Sequence, residues 1–211
     1  MSVKYDFEGK VALITGSSSG IGASTAILFA KSGASVVVTG RNAKNVSEVA
    51  KKCREVSHDK SKALEVVADL IKEEDLKRLV DITIKTYGKI DILVNNAGIG
   101  FWADIKDEDY YEKYRKVLEL NLNSVVLLTH LCVSHLEKTK GNIINISSIA
   151  SLRPVIARDQ FEFMKINLVF FLTRQNYSRP TMWPKQEWIC SPDVWPQNSV
   201  QKEFESMLSS N

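Results

Sequence analysis

Residues 11–22 read Val-Ala-Leu-Ile-Thr-Gly-Ser-Ser-Ser-Gly-Ile-Gly. Four apolar residues typical of a buried strand run directly into a glycine-rich loop, and a helical pattern follows. Glycines let the backbone approach a pyrophosphate closely, and the N–H groups that open the helix favour an anion. A plain glycine turn is the alternative, but the place of this loop after the first strand favours phosphate binding.

The same alternation of short apolar runs and longer amphipathic stretches continues to about residue 146. It predicts strands over 11–14, 35–38, 63–68, 90–94 and 142–146, and helices over 20–32, 43–57, 72–87 and 107–138. The strands are mostly apolar on both faces, which predicts an α/β fold with a Rossmann-type, doubly wound parallel sheet. Spacings of three and four predict one buried face in the last helix, made of Tyr111, Tyr114, Leu118, Leu122 and Val125.

The composition changes after residue 173. The last glycine is Gly141, and the segment from residue 174 onward holds four of the five prolines and three of the four tryptophans. A parallel sheet needs glycine at its tight turns, so this segment is not expected to continue it. We expect a domain over 1–173 and an atypical, poorly packed tail over 174–211. The sheet would then be incomplete, ending at its fifth strand with an uncovered edge.

Charge and composition exclude several classes of function. The net charge is only +3 and the basic residues are interspersed with acidic ones, so we expect neither nucleic acid nor a membrane surface as a partner. No run approaches the roughly 20 apolar residues of a membrane helix, and residues 1–8 lack a signal-peptide core. The three cysteines share no CxxC spacing. We therefore expect reduced thiols, a cytoplasmic location and no metal site.

The loop has the TGxxxGxG spacing of the short-chain dehydrogenase/reductase family, which the chain resembles from about Gly9 to Arg174. The family's other motifs follow in order as Asp69-Leu70, Asn95-Asn96-Ala97-Gly98, Asn121 and Ile146-Ser147-Ser148. The resemblance implies hydride transfer between a nicotinamide cofactor and a small-molecule carbonyl compound or secondary alcohol. Family members form homo-oligomers, although the C-terminal segment of this chain argues against one here.

The end of the second strand bears on the choice of cofactor. Residues 39–42 are Thr-Gly-Arg-Asn, without the carboxylate that usually takes the ribose 2′-OH of NAD. The Arg41 guanidinium matches a 2′-phosphate in charge and geometry, so NADP(H) is favoured over NAD(H), the alternative being a surface arginine. The resemblance implies the following cofactor-binding residues: Gly16, Ser18, Ser19, Gly20, Ile21, Gly22, Arg41, Asn42, Asp69, Leu70, Asn95, Ala97, Gly98 and Lys165.

The catalytic set implied by the family has a gap. Asn121, Ser148 and Lys165 match its asparagine, serine and lysine, but Phe161 stands where its general acid/base tyrosine belongs. A phenyl ring transfers no proton, and loss of a positioned acid/base costs about 10²–10⁴-fold in rate. The nearest titratable substitute, Glu162, points about 100° away on a helix.

Each of these residues also has a purely structural interpretation. Ser147 and Ser148 can be polar residues at a strand end, and Asn121 can satisfy a helix backbone group. Lys165 can be an exposed helix lysine. Phe101 and Trp102 follow the fourth strand and can line a substrate pocket or simply form a hydrophobic rim.

Two functions follow. The first is an NADP(H)-dependent oxidoreductase with impaired catalysis. The alternative is a non-catalytic nucleotide-binding protein or the product of a frame-shifted gene. Residues 202–208, Lys-Glu-Phe-Glu-Ser-Met-Leu, can be encoded by codons that give Gly-Ile-Arg-Val-Asn-Ala when read from the third base. That string resembles the entry to the family's sixth strand.

Overall fold

The computed structural model describes residues 6–57, 63–101, 103 and 105–147, together with the backbone of residues 174–176. The strands are β1 (Val11–Ile14), β2 (Ser35–Gly40), β3 (Ala63–Val67), β4 (Ile92–Asn95), β5 (Asn142–Asn145) and β6 (Arg174–Asn176). The helices are α1 (Gly20–Lys31), α2 (Ala43–Val56), α3 (Glu73–Tyr87), α4 (Tyr110–Leu118) and α5 (Ser124–Thr139). A π-helical turn (Glu119–Asn123) joins α4 to α5.

The strands form one sheet in the order β3-β2-β1-β4-β5-β6, and the first five of these are parallel. The chain moves outward from β1 to β3 and then returns to the other side of β1 with β4. The topological switch point of the sheet therefore lies between β1 and β4. The predicted Rossmann-type, doubly wound fold is confirmed.

Alternate residues of each central strand face opposite layers of helices. Ile14 of β1 and Val38 of β2 belong to a core shared with α1 and α2, where Ala26 and Ala50 are fully buried. Leu13 faces the opposite core, which α3 and α5 cover. Burial of both faces explains the continuous apolar runs from which the strands were predicted.

The edge of the sheet beyond β5 differs from the expectation. The backbone of β6 pairs antiparallel with β5, with Arg174 opposite Ile144 and Asn176 opposite Asn142. The parallel part of the sheet does end at β5, as expected, but its edge is paired with a short antiparallel neighbour, which needs no crossover connection. The other residues of the expected tail, 177–211, lie outside the described residues.

The buried face of the helical stretch from α4 to α5 is also corrected. Tyr111 and Leu122 are exposed, with 68% and 50% of their surface accessible. The buried stripe lies one residue earlier in each repeat, at Val117, Asn121, Ser124, Leu128, Cys132 and Leu136. Periodicity of apolar residues misplaced the face because two of its members are polar.

Tyr110–Thr139 forms a continuous helical stretch that is long and apolar enough, by length and composition, to cross a membrane. The sequence analysis had found no such stretch. Leu128, Cys132 and Leu136 of α5 are buried against the sheet and α3. A core helix of a globular domain meets the same criterion.

Candidate nucleotide-binding site

An open cleft of about 1110 Å³ lies at the carboxyl ends of β1, β2, β3 and β4. This is the edge at which open α/β sheets bind ligands, and the volume lies at the upper end for ligand pockets. The loops after the four strands form its floor, and α4 with the π-helical turn forms one wall. Its lining includes residues 18–21, 40–41, 68–71 and 96–99, together with Gly16, Phe101, Glu112, Arg115, Lys116, Glu119 and Leu120.

The loop between β1 and α1 requires glycine at two positions for different reasons. Gly16 has a φ of +62°, and a Cβ there would lie 2.8 Å from the Cα of Ala97. Gly22 is helical, and a Cβ there would lie 2.5 Å from both Asn96 Nδ2 and the Gly16 carbonyl oxygen. The absent side chains bring the loop, the first turn of α1 and the turn after β4 into direct contact.

Thr15 and Asn96 fasten these two loops together. The Thr15 hydroxyl oxygen accepts from the backbone N–H groups of Asn96 and Ala97 at 2.9 and 3.0 Å. Asn96 Nδ2 in turn donates to the carbonyl oxygens of Thr15 and Gly16 at 2.9 and 3.3 Å. The sequence analysis gave neither residue a role of its own. Polar residues directly after two buried strands were the signal, because such side chains need partners.

Ser17 fastens the same loop to β2. Its hydroxyl donates to the Ile14 carbonyl oxygen at 2.6 Å and accepts from the Thr39 N–H at 2.9 Å. Gly40 follows Thr39, and a Cβ there would overlap the side chain of Ser18. The absence of a side chain at Gly40 therefore allows Ser18 to lie at the cleft beside the end of β2.

Arg41 is exposed and lines the cleft directly after β2. Arg54 and Arg78 each form an ion pair, with Glu65 and Asp75 respectively. Within the described ranges no side chain forms an ion pair or hydrogen bond with Arg41. Its guanidinium is thus available to a ligand in the cleft.

Asn121 is buried in the π-helical turn and holds the loop after β4. Its Oδ1 accepts from the Ile99 N–H at 2.9 Å, and its Nδ2 donates to the Ile99 carbonyl oxygen at 2.7 Å. The alternative interpretation, that Asn121 satisfies a helix backbone group, was wrong about the partner, because both of these bonds go to Ile99 in the loop after β4. A π-helical turn changes the orientation of side chains within a helix and occurs frequently at functional sites.

The predicted cofactor-binding residues fall into three groups. Ten of them line the cleft: Gly16, Ser18, Ser19, Gly20, Ile21, Arg41, Asp69, Leu70, Ala97 and Gly98. Three have contacts within the protein: Gly22 packs against Asn96, Asn42 caps α2 by accepting from Asn45 N at 3.1 Å, and Asn95 donates to Asn145 Oδ1 at 2.8 Å. Lys165 lies outside the described residues, as do Ser148, Phe161 and Trp102.

The cleft has a wall that the sequence analysis did not predict. Glu112, Arg115, Lys116 and Glu119 bring charged side chains to it from α4 and the π-helical turn. Lys116 is paired with Glu112 at 2.6 Å. Among the described residues, no three His, Cys, Asp or Glu side chains gather in a way that would hold a metal ion.

This strand order, with a glycine-rich loop at the switch point, defines the class of Rossmann-type dinucleotide-binding domains. The family model described as short chain dehydrogenase matches residues 10–165. The chain therefore belongs to the short-chain dehydrogenase/reductase family, whose members are oxidoreductases that use NAD(P) and act on small carbonyl compounds or alcohols.

Named relatives support the assignment. The chain is 36% identical over 149 residues to 11-beta-hydroxysteroid dehydrogenase A of Sesamum indicum, covering 71% of this chain and 42% of that protein. L-fucose dehydrogenase of Bos taurus is also 36% identical over 149 residues, covering 71% and 53% respectively. The chain spans about half the length of the curated relatives it matches.

Solved structures show the same fold. The apo form of glucose dehydrogenase of Caenorhabditis elegans is 44% identical, with a TM-score of 0.62 over 68% of this chain and 56% of that one. A 7 alpha-hydroxysteroid dehydrogenase complexed with NADH and 7-oxo glycochenodeoxycholic acid is 35% identical. It has a TM-score of 0.66 over 74% and 60% of the two chains.

Proposed function

We propose that the protein binds NADP(H) in the cleft and is an oxidoreductase for a small carbonyl compound or secondary alcohol, with proton transfer impaired by Phe161. The observation that supports NADP(H) over NAD(H) is the position of Arg41. This residue is a cation at the end of β2 that lines the cleft and has no partner among the described residues. A carboxylate at this position would repel a 2′-phosphate, whereas a guanidinium offers it charge-assisted hydrogen bonds.

The phosphate loop fits the diphosphate of such a cofactor. A side chain at Gly16 or Gly22 would collide with the neighbouring loop, and without one the backbone there is not covered by a side chain. Ser19 precedes α1 without capping it, which leaves its hydroxyl available, and the first turn of α1 offers N–H groups and a partial positive charge. Lys165, from its place in the family motif, would hold the nicotinamide ribose. The bound cofactor would supply the hydride donor or acceptor.

The impaired step is proton transfer to or from the substrate oxygen. In the family pattern, the Ser148 hydroxyl would hold that oxygen while the residue at position 161 exchanges the proton. Phenylalanine has no proton to exchange. The same observation favours the second candidate, a nucleotide-binding protein without catalysis.

Fluorescence titration of the full chain with NADPH tests binding, and NADPH consumption with a panel of ketones, hydroxysteroids and sugars tests turnover. The panel includes the compounds for which relatives are named. We expect binding with little turnover, and about 10²–10⁴-fold faster turnover in Phe161→Tyr. Phe163→Tyr adds the same hydroxyl two residues away and is the matched control.

The outcomes separate the candidates. Binding without turnover in both the natural chain and Phe161→Tyr favours the non-catalytic protein. Full activity in the natural chain, unchanged by Phe161→Tyr, would mean that another residue exchanges the proton. Failure to bind NADPH would overturn both and favour a frame-shifted product, which the codons for residues 202–208 test directly.

We also propose that the protein works in the cytoplasm on small molecules, without nucleic acid or membrane partners. Cys53 and Cys132 are free, and burial raises the pKa of their thiols to about 11 and about 12 respectively. Such thiols stay protonated and unreactive at neutral pH, as expected of cysteines that fill a core. Fractionation of cells that express the chain would test the location.

A further inference from the structure

Residues 68–71 form one side of the cleft, and two residues of α3 that do not line it hold this segment in place. Asp75 Oδ2 accepts a hydrogen bond from the backbone N–H of Asp69 at 2.7 Å. Arg78 Nη2 donates to Asp75 Oδ1 and to the Val67 carbonyl oxygen, both at 2.7 Å. The two side chains therefore bracket the backbone on either side of Ala68.

Other contacts leave this segment little freedom. The Ala68 N–H donates to the Gly40 carbonyl oxygen at 3.1 Å, and the Asp69 carbonyl oxygen accepts from the Lys72 N–H at 2.9 Å. Ala68 and Leu70 are buried, so their side chains anchor the segment on both sides of Asp69. Because Gly40 immediately precedes Arg41, a shift of this segment would also displace the end of β2.

We propose that Asp75 and Arg78 are positioning residues that set the affinity of the cleft for the adenosine half of the cofactor. The inference rests on the proposed function, because it assumes that a dinucleotide occupies the cleft. Neither side chain touches the ligand. They fix the backbone of residues 68–71 that lines the cleft, and that backbone is hydrogen-bonded to Gly40, the residue before Arg41.

The pair is charged under ordinary conditions. Arg78 and then the Asp69 N–H lower the pKa of the Asp75 carboxyl below its usual value. Because both partners stabilise the carboxylate, replacing it with an amide weakens the contact to Arg78 and keeps an acceptor for Asp69. Asp75→Asn is therefore an intermediate variant, and Asp75→Ala removes both contacts.

The same helix provides a matched control. Glu73 also lies in the first turn of α3 and pairs with Lys77 at 2.6 Å, but it is exposed and forms no hydrogen bond or ion pair with residues 67–71. Glu73→Ala removes a first-turn acid and an ion pair, as Asp75→Ala does. The comparison isolates the contact with the cleft backbone from the general cost of losing an acid at a helix start.

The test is calorimetric titration of the full chain with 2′,5′-ADP, which carries the adenosine of NADP with its 2′- and 5′-phosphates and lacks the nicotinamide half. We expect Asp75→Ala to bind it about tenfold more weakly, the effect of losing one hydrogen bond to a charged group. Arg78→Ala should show a similar loss, Asp75→Asn a smaller one and Glu73→Ala none. Thermal melts in the same buffer establish that each variant is folded at the titration temperature.

The outcomes distinguish this inference from the proposed function. If the natural chain does not bind 2′,5′-ADP, the proposed function fails and the inference fails with it. If the natural chain binds and Asp75→Ala matches Glu73→Ala, the inference alone is overturned. Should Asp75→Ala fail to fold, Asp75→Asn and Arg78→Ala decide, and affinities equal to that of Glu73→Ala would overturn it.

Discussion

Asp91 at the amino edge of the parallel sheet, where the strands begin, and Arg41 at its carboxyl edge, where they end, differ in how far the protein itself satisfies them. At the amino edge, Asp91 is 3% exposed, and its carboxylate contacts Lys10 at 3.3 Å, Lys89 at 3.1 Å and the Val11 N–H at 2.9 Å. At the carboxyl edge, Arg41 has no partner among the described residues and Ser19 does not cap the helix that follows it. Polar groups whose bonds are satisfied within the protein hold the fold, and those left open at the cleft are available to a ligand.

This difference predicts that substitutions at the two edges separate stability from cofactor binding. Substitutions at the amino edge should lower the free energy of unfolding and leave affinity unchanged. Substitution of a carboxyl-edge side chain that is left open to the cleft should weaken cofactor binding and leave the free energy of unfolding unchanged, unless a backbone collision moves a loop.

The largest effect is expected for Gly16→Ala. Gly16 and Gly88 both have positive φ, +62° and +75°, but a Cβ at Gly88 meets nothing within 4 Å, whereas one at Gly16 would press on Ala97. Gly88→Ala should lose only about 1–2 kcal/mol of stability from backbone strain. Gly16→Ala should in addition weaken NADPH binding by about a hundredfold, measured by fluorescence titration. Equal NADPH affinity in the two variants would contradict this role of the loop.

The next effect is expected for Asp91→Ala at the amino edge. Loss of the buried carboxylate leaves the Val11 N–H unpaired and should lower the free energy of unfolding by about 2–3 kcal/mol. Urea denaturation measures this cost, and Lys77→Ala, which removes only an exposed ion pair, is the control. NADPH affinity should not change. A loss of affinity comparable to that of Gly16→Ala would remove the distinction between the edges.

Arg41→Ala should leave stability unchanged and weaken NADPH binding by about 1.5–3 kcal/mol, the range for a hydrogen bond to a charged group. NADH has no 2′-phosphate, so its affinity should change little. Lys44→Ala removes a nearby exposed cation from α2 and controls for net charge. Equal losses for NADPH and NADH would refute the cofactor assignment.

The smallest effect concerns pH and Asp75. Its pKa is lowered in the folded protein, so the carboxylate stabilises the fold above its ordinary pKa of about 4 and this contribution disappears as the pH falls through the lower, folded value. The stability advantage of the natural chain over Asp75→Asn should therefore shrink on acidification below roughly pH 4. Urea denaturation across that range measures it. A difference that stays constant with pH would mean that the charge of Asp75 is not involved.

Much of the fold could be predicted from residues 10–146 alone. The five parallel strands are mostly apolar, and the structure places each within about two residues of its predicted bounds. Most of the predicted phosphate-loop residues line the cleft, because the glycine spacing reflects a local backbone requirement. Because both faces of β1 and β2 are buried, each strand appears in the sequence as a continuous apolar run, which made these strands easy to predict.

Two of the failures concern polar side chains. The face of α4 and α5 was misplaced because Asn121 and Ser124 are buried, with hydrogen bonds to the carbonyl oxygens of Ile99 and Leu120. The bonding of Asp75 to Asp69 was likewise not predicted. The backbone partners of Asn121 and Asp75 belong to other segments that the fold brings near, whereas Ser124 bonds one turn back along its own helical stretch.

The sequence by itself determined the α/β fold class, the position of the glycine-rich loop and the family. These depend on local periodicity, on glycine conformation and on residue identity, which the chain carries without folding. Only the tertiary structure decided which polar side chains have hydrogen-bond or ion-pair partners within the protein. Thr15 and Asn96, which hydrogen-bond to each other, lie 81 positions apart in the chain. Hydrogen bonding across such separations depends on the packed sheet. In that sheet the Asp91 carboxylate is bonded within the protein, whereas the Arg41 guanidinium is available to a ligand.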